Sequence, residues 1–162
     1  MIFLTIGTQL PFDRLVRTLD EIAPLLSEEI VGQIGDSNYR PKHFRAQRAF
    51  APNEFESLMR QCRVIVSHAG IGTILNARKA GKPIILMPRL AKLGEHRNDH
   101  QTATCQQLSK ANGVSVVYHE SELLDIIKRD HAFAENDDTL SVVDRFVDRL
   151  RPYIFDPLVD HQ

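Results

Sequence analysis

The apolar positions of this chain fall into short continuous runs separated by amphipathic stretches. That is the pattern of strands covered on both faces alternating with helices. Residues 2–6, all but one strongly apolar, predict a buried first strand. From Asp13, read as a helix cap, Leu15, Val16, Leu19, Ile22 and Leu26 recur along one stripe and predict an amphipathic helix. A second strand is expected over residues 30–34, closed by Gly35-Asp36-Ser37-Asn38. A basic, polar loop then leads to a short strand near residues 46–50, and Pro52 opens a helix running through Arg60. Residues 64–66 predict a strand, 73–79 a helix capped by Thr73, and 84–87 another strand. A long polar loop over 88–98, a helix over 99–111 with Asp99 as cap, and a strand over 114–118 follow. Helices over 121–129 and 139–151 and an apolar tail over 153–159 complete the pattern.

This alternation implies an α/β fold with an open, mostly parallel sheet, and one domain over residues 1–162. Ligands of such sheets bind beyond the carboxyl ends of the strands. Three segments reach that edge: Gly7-Thr8-Gln9, residues 68–73, and residues 88–101. The second is the most telling. Ser67-His68-Ala69-Gly70-Ile71-Gly72-Thr73 joins a strand to a helix without bulky side chains, so backbone N–H groups can approach an anion closely. The positive helix end favours that anion, which points to a phosphate or diphosphate.

Composition narrows the field. A hydrophobic fraction of 43% and a charged fraction of 25% are those of a soluble globular protein, and a net charge of -1 disfavours a general nucleic-acid binder. Two cysteines, Cys62 and Cys105, form no CxxC pair, which suggests a reducing, cytoplasmic compartment. The apolar start is too short for a signal peptide or a membrane span. Gly70 and Gly72 lack the third glycine of a dinucleotide fingerprint, Leu75 standing in its place, and no Walker A loop is present. NAD(P) and P-loop chemistry are therefore disfavoured. His96 and His100 are four apart but lack the HExxH order, so no metal site is expected. His68 is read as a hydrogen-bond donor to a diphosphate or sugar oxygen, since a neutral imidazole offers one N–H. The dense run Glu95-His96-Arg97-Asn98-Asp99-His100-Gln101 suits a hydroxyl-rich ligand. Arg89, Lys92 and Arg97 could neutralise a phosphate or a uronate carboxylate. The basic cluster Arg40, Lys42, His43, Arg45 and Arg48 could face a membrane surface or an anionic partner, though solubility explains it equally well.

As a set, Gly7-Thr8-Gln9-x-Pro11-Phe12-Asp13, Ser67-His68-Ala69-Gly70-x-Gly72-Thr73, Gly81-Lys82-Pro83-Ile84 and Asp99-His100-Gln101 resemble the glycosyltransferase family 28 C-terminal domain. This is the MurG-like, donor-binding half of GT-B glycosyltransferases, a Rossmann-like unit. The run from Gly94 to Gln101 is especially similar to free-standing PssE-type subunits of exopolysaccharide assembly. The resemblance covers residues 1–118 and implies a UDP-sugar donor as substrate, with no cofactor. It implies that Gly7, Thr8 and Gln9 lie beside the diphosphate, and that His68, Ala69, Gly70, Gly72 and Thr73 form the main phosphate loop, His68 being the catalytic candidate. It places Asn98, Asp99, His100 and Gln101 near the donor sugar, with Arg89, Glu95 and His96. Where relatives commonly carry a ribose-binding Glu, Asn76 stands here.

The implied activity is an inverting, metal-independent hexosyl transfer, glucuronate fitting the PssE-like resemblance. The acceptor would be a lipid-linked saccharide held by a membrane-anchored partner subunit at the inner face of the membrane, with the apolar tail 153–159 as a docking element. Glu95 and His96 are local candidates for a general base. A non-catalytic UDP-sugar-binding regulatory subunit and a UDP-sugar hydrolase or epimerase are the competing readings. A sensor would bind donor without turnover, and a hydrolase or epimerase would need no partner.

Overall fold

In a computed structural model of the chain, residues 1–129 are described. The helix expected over 139–151 and the tail over 153–159 lie outside them. Strand β1 (Ile2–Thr5) leads to helix α1 (Asp13–Ile22), then β2 (Ile30–Gln33), β3 (Arg45–Gln47), α2 (Pro52–Gln61) and β4 (Val64–His68). Helix α3 (Ile71–Lys79), β5 (Ile84–Met87), α4 (His100–Leu108), β6 (Val114–Val116) and α5 (Leu123–Lys128) follow. All six strands are parallel, in the order β3-β2-β1-β4-β5-β6. This is the doubly wound order that reverses direction between two neighbouring central strands.

The continuous apolar runs arise because helices cover both faces. Ile2, Leu4 and Ile6 pack with Val64, Val66, Ile85 and Met87 on the face held by α1 and α5. Phe3, Ile65, Ile84 and Leu86 point the other way, among residues of α2, α3 and α4. Alternate residues of one strand thus serve two cores, as the pleat requires. Phe3 anchors the second core, edge-on to Phe55 at 5.4 Å and tilted against Phe50 at 6.2 Å.

Two expectations about helix starts are corrected and a third holds in position but not in its side-chain bond. Asp13 is the first residue of α1 rather than its cap. Its carboxylate instead accepts hydrogen bonds from the Ser37 hydroxyl (2.6 Å) and the Asn38 N–H (2.9 Å), holding the turn after β2. Thr73 is buried inside α3, which is capped by Gly70, because β4 runs through His68 and leaves only two residues before the helix. Asp99 does occupy the N-cap of α4, but its side chain accepts from the Ala91 N–H at 3.1 Å, while the Asn98 side chain accepts from the His100 N–H at 3.2 Å. Short polar side chains beside a loop have several backbone donors within reach, and sequence spacing does not say which one wins.

Truncating Phe3→Ala removes a fully buried ring that both Phe50 and Phe55 contact. The expected loss is about 3–5 kcal/mol of unfolding free energy, read as a lower urea midpoint with an unchanged slope.

Candidate functional site

Because the strand order reverses between β1 and β4, the loops leaving these neighbours diverge and a cleft opens between them. The cleft holds about 550 Å³. The end of β1 contributes Gly7, Thr8 and Gln9 to its wall, and the β4–α3 segment contributes His68, Ala69, Gly70, Gly72, Thr73 and Asn76. Arg89, His96, His100 and Gln101 close the far side. Of the residues singled out in the sequence, Glu95, Asn98 and Asp99 do not line this cleft, nor does Arg97, which is exposed.

His68 sits at the centre of the cleft wall, 8% exposed, with its ring edge between two glycines. A Cβ on Gly70 would lie 2.1 Å from Nε2, and one on Gly7 would lie 2.9 Å from Cε1. Gly7 also has a φ of +76°, a conformation that L side chains rarely adopt. The chain can bring both loops this close to the imidazole only without side chains at those positions.

The protonation of His68 follows from its neighbours. The Ser67 hydroxyl donates its single proton to the Thr5 carbonyl at 2.6 Å, so toward His68 Nδ1, 3.2 Å away, its oxygen can only accept. Nδ1 therefore carries the proton, and in the neutral ring Nε2 presents a lone pair. Burial, with the Arg89 charge second, pulls the His68 pKa down to about 4, so the ring is neutral near pH 7. In the free chain the neutral ring's N–H is thus turned toward Ser67 and the Thr5 carbonyl, and Nε2 faces the cleft.

Arg89 is also reassigned. Only 3% exposed, it donates from Nη2 to the carbonyls of Ile6 (2.7 Å) and Leu10 (2.6 Å), which shapes the loop after β1. Its guanidinium carbon lies 5.2 Å from the centre of the Phe12 ring, and that of Arg14 lies at the same distance from it. Burial lowers the Arg89 pKa to about 10, with the Glu95 charge opposing, so it stays a cation behind the cleft. Its Nε has no hydrogen-bond partner.

Glu95 works as a staple. It takes two hydrogen bonds from Arg14, at 2.7 Å and 2.9 Å, and one from the Leu90 N–H at 2.9 Å, while Arg14 also donates to the Pro88 carbonyl at 2.8 Å. The loop over 88–98 is thereby fixed to α1, with both Glu95 oxygens occupied. Gln101 performs a similar task from α4: its side-chain oxygen accepts from Ala69 N–H (3.2 Å) and Arg89 N–H (3.1 Å), joining the loops after β4 and β5.

The sequence reading missed Gln33, Phe55 and Thr104, which also line the cleft, and Arg14. Gln33 ends β2, a position that the strand pattern already brought to this edge. Arg14 lies 81 residues from Glu95 in sequence and gives no local signal. A second hollow of about 630 Å³ adjoins the first, sharing Thr8, Gln33, Phe55 and Asn76, with Phe50, Pro52 and Met59 on its apolar side. Among the described residues, no group of three or more His, Cys, Asp or Glu side chains gathers as for a metal ion. No described helix is long and apolar enough to cross a membrane.

The two glycines of the α3 start separate by substitution. Gly70→Ala places a methyl group against the His68 ring and should cost about 1–3 kcal/mol. Nothing lies within 4 Å of the corresponding position at Gly72, so Gly72→Ala should be neutral or stabilise by up to about 1 kcal/mol. Urea unfolding of the two variants checks the contrast.

The family model of the glycosyltransferase family 28 C-terminal domain matches residues 1–137. A UDP-N-acetylglucosamine–N-acetylmuramyl-(pentapeptide) pyrophosphoryl-undecaprenol N-acetylglucosamine transferase of Prochlorococcus marinus (strain MIT 9312) is 31% identical over 98 residues. That match takes in 58% of this chain and 26% of the relative, so the chain spans about a quarter of the length of the curated relatives it matches. Among solved structures, the glycosyltransferase of kitacinnamycin is similar over 94% of this chain and 39% of its own, with a TM-score of 0.61 at 17% identity. The Streptomyces sp. SF2575 glycosyltransferase SsfS6, complexed with thymidine diphosphate, is similar over 92% and 36%, with a TM-score of 0.56 at 23% identity. The fold is thus shared with one half of GT-B glycosyltransferases, and the chain belongs to the glycosyltransferase family 28 C-terminal domain family.

Proposed function

We propose that this chain is the donor-binding, catalytic subunit of a two-part glycosyltransferase that moves a sugar from a UDP-sugar to a lipid-linked acceptor. The observation behind this reading is the pair of glycine turns at the strand-order reversal, closing on one histidine with a buried arginine behind it. Backbone N–H groups at the start of α3, its helix end and the Arg89 charge all favour a diphosphate in that cleft. The adjoining apolar hollow beside Phe50, Pro52 and Phe55 suits the flat face of a uracil ring, with Asn76 between the two for the ribose hydroxyls. His96 and His100 line the same cleft and would meet the donor sugar.

In the proposed transfer, an acceptor hydroxyl oxygen bonds to the sugar's anomeric carbon as the bond to the β-phosphate oxygen breaks. The electron pair stays on the diphosphate, and the hydroxyl proton goes to a base. Inversion follows from a single displacement. Charge developing on the leaving group is met by groups already in place, which is an effective way to lower a barrier. Metal is not needed if Arg89 and the helix end supply the positive potential.

With both its oxygens committed to Arg14 and Leu90, Glu95 is poorly placed as the base, and a partner subunit is the better source. A partner anchored at the inner face of the membrane would supply the acceptor half, since GT-B sites lie between two such units. Glucuronate remains the sugar proposed. Its carboxylate would meet the His96–His100 end, because the Arg89 guanidinium is engaged with Ile6 and Leu10.

A thermal-shift panel of UDP, UDP-glucuronate, UDP-glucose, UDP-N-acetylglucosamine and NAD tests the reading. Ligand at about a hundred times its Kd stabilises by about 2.7 kcal/mol. A rise with UDP-sugars and none with NAD is expected; equal shifts, or a shift with NAD alone, contradict it. With the partner subunit present, His68→Ala should slow transfer about 10²–10³-fold while melting as a folded protein, and unchanged turnover would remove His68 from the reaction.

A further inference from the structure

We propose that His68 meets the donor's diphosphate as an imidazolium, taking a proton from solvent onto Nε2 as the diphosphate binds, so that donor binding and protonation are one coupled event. The proposal rests on the diphosphate reading above and adds the state in which this residue acts.

The geometry leaves little alternative. Nδ1 is turned to Ser67, whose own proton is held by the Thr5 carbonyl, so the neutral ring has only a lone pair at Nε2. Nε2 is the atom beside Gly70, at the point where the two glycine turns converge, and no described residue hydrogen-bonds to it. A phosphate oxygen carries lone pairs of its own. Two lone pairs facing each other repel, and exchanging the tautomer would strip the Ser67 oxygen of its donor. A proton on Nε2 removes the conflict and leaves the Ser67 bond intact.

The surrounding charges explain why that proton waits for the ligand. Burial most of all, then Arg89 just after β5 and His96 in the loop over 88–98, disfavour a charged His68, and the Thr5 carbonyl opposes them only in part. His100 comes from the first turn of α4, while the loop after β1 and the start of α3 bring only the neutral Gly7, Thr8, Gln9, Ala69, Gly70, Ile71 and Gly72. The Glu95 carboxylate acts on Arg89 through its charge, and it is shared with Arg14. No anion therefore faces Nε2 until a diphosphate brings one. An opposite charge within hydrogen-bonding reach raises the pH at which a basic group protonates by about one to three pH units. His68, held down to about 4 in the free chain, therefore titrates at higher pH in the complex.

The free protein and the complex have opposite pH responses. Unbound, His68 binds a proton less readily folded than unfolded, so it lowers stability progressively as pH falls from about 6.5 toward about 4. Donor affinity moves the other way: over the interval between the two pKa values it strengthens up to about tenfold for each unit that pH falls.

Calorimetric titration with UDP-N-acetylglucosamine at about pH 5, in two buffers of different ionisation enthalpy, reads the proton directly. This probe's diphosphate is esterified at both ends and has no titrating proton near neutrality. Net uptake of a substantial fraction of a proton per bound ligand, vanishing by about pH 8, is expected. His68→Gln keeps an N–H donor of similar reach that does not titrate, so it should bind with no uptake and a flat pH dependence. His96→Gln and His100→Gln should retain the uptake. Binding without uptake, or uptake that survives His68→Gln, overturns the proposal while leaving the diphosphate site standing. Failure of UDP-N-acetylglucosamine, UDP-glucose and UDP to bind at any pH overturns the site and this proposal together.

Discussion

The contact on which the cleft depends is the wedging of one imidazole between two backbones. His68 closes the gap between the ends of β1 and β4, and neither Gly7 nor Gly70 has room for a Cβ beside it. That crowding follows from the sheet. In parallel register Thr5 lies opposite Ser67, so the residues that follow each strand emerge side by side. The reversal of strand order then sends their connections to opposite faces of the sheet, α1 to one and α3 to the other. What remains between them is a slot lined by main chain, with one ring at its base. Side chains of any size would fill it and close off the backbone at the start of α3.

Behind the slot stands a second constraint, a buried cation with no carboxylate hydrogen-bonded to it. Removing a guanidinium from water is costly, and here part of that cost is met by two carbonyls and an aromatic face rather than by an ion pair. Glu95 acts on Arg89 only through space, because Arg14 and Leu90 occupy its oxygens. The cleft is consequently left with positive potential that its own side chains do not cancel. The same residues also set geometry: Arg89 fixes the loop after β1, Glu95 the loop over 88–98, and Gln101 the junction between the loops after β4 and β5. Shape and charge come from one network.

Much of this was legible in the residues. The continuous apolar runs of β1, β4 and β5 specify strands buried on both faces, and such strands with helices between them leave few topologies. The glycine turn at 70–72 announced itself because nothing else in the chain combines a strand end, small residues and a helix start. What sequence could not supply was the direction in which polar side chains bond. Asp13 and Asp99 were read as caps and Glu95 as a ligand contact, whereas the Asp13 carboxylate holds the turn after β2, that of Asp99 the Ala91 N–H of the preceding loop, and that of Glu95 the Arg14 side chain of α1. Arg89 was read as a cation available to a phosphate or carboxylate, and it lies buried with its guanidinium on two carbonyls. A carboxylate chooses among all donors within about 3 Å, and that choice is made only when the chain has folded. The tautomer of His68 is a further case, fixed by a hydroxyl that is itself fixed by a neighbouring strand.

The most direct test of the central claim is residue-resolved amide NMR of the isotope-labelled chain titrated with UDP. Binding at the strand-order reversal predicts the largest shifts at the backbone amides of Thr8, Gly70, Ile71 and Gly72, with those of Leu25, Leu26 and Glu28, at the opposite edge of the sheet, unmoved. Saturable shifts confined to any other surface, or an unperturbed spectrum at millimolar UDP, would contradict the account.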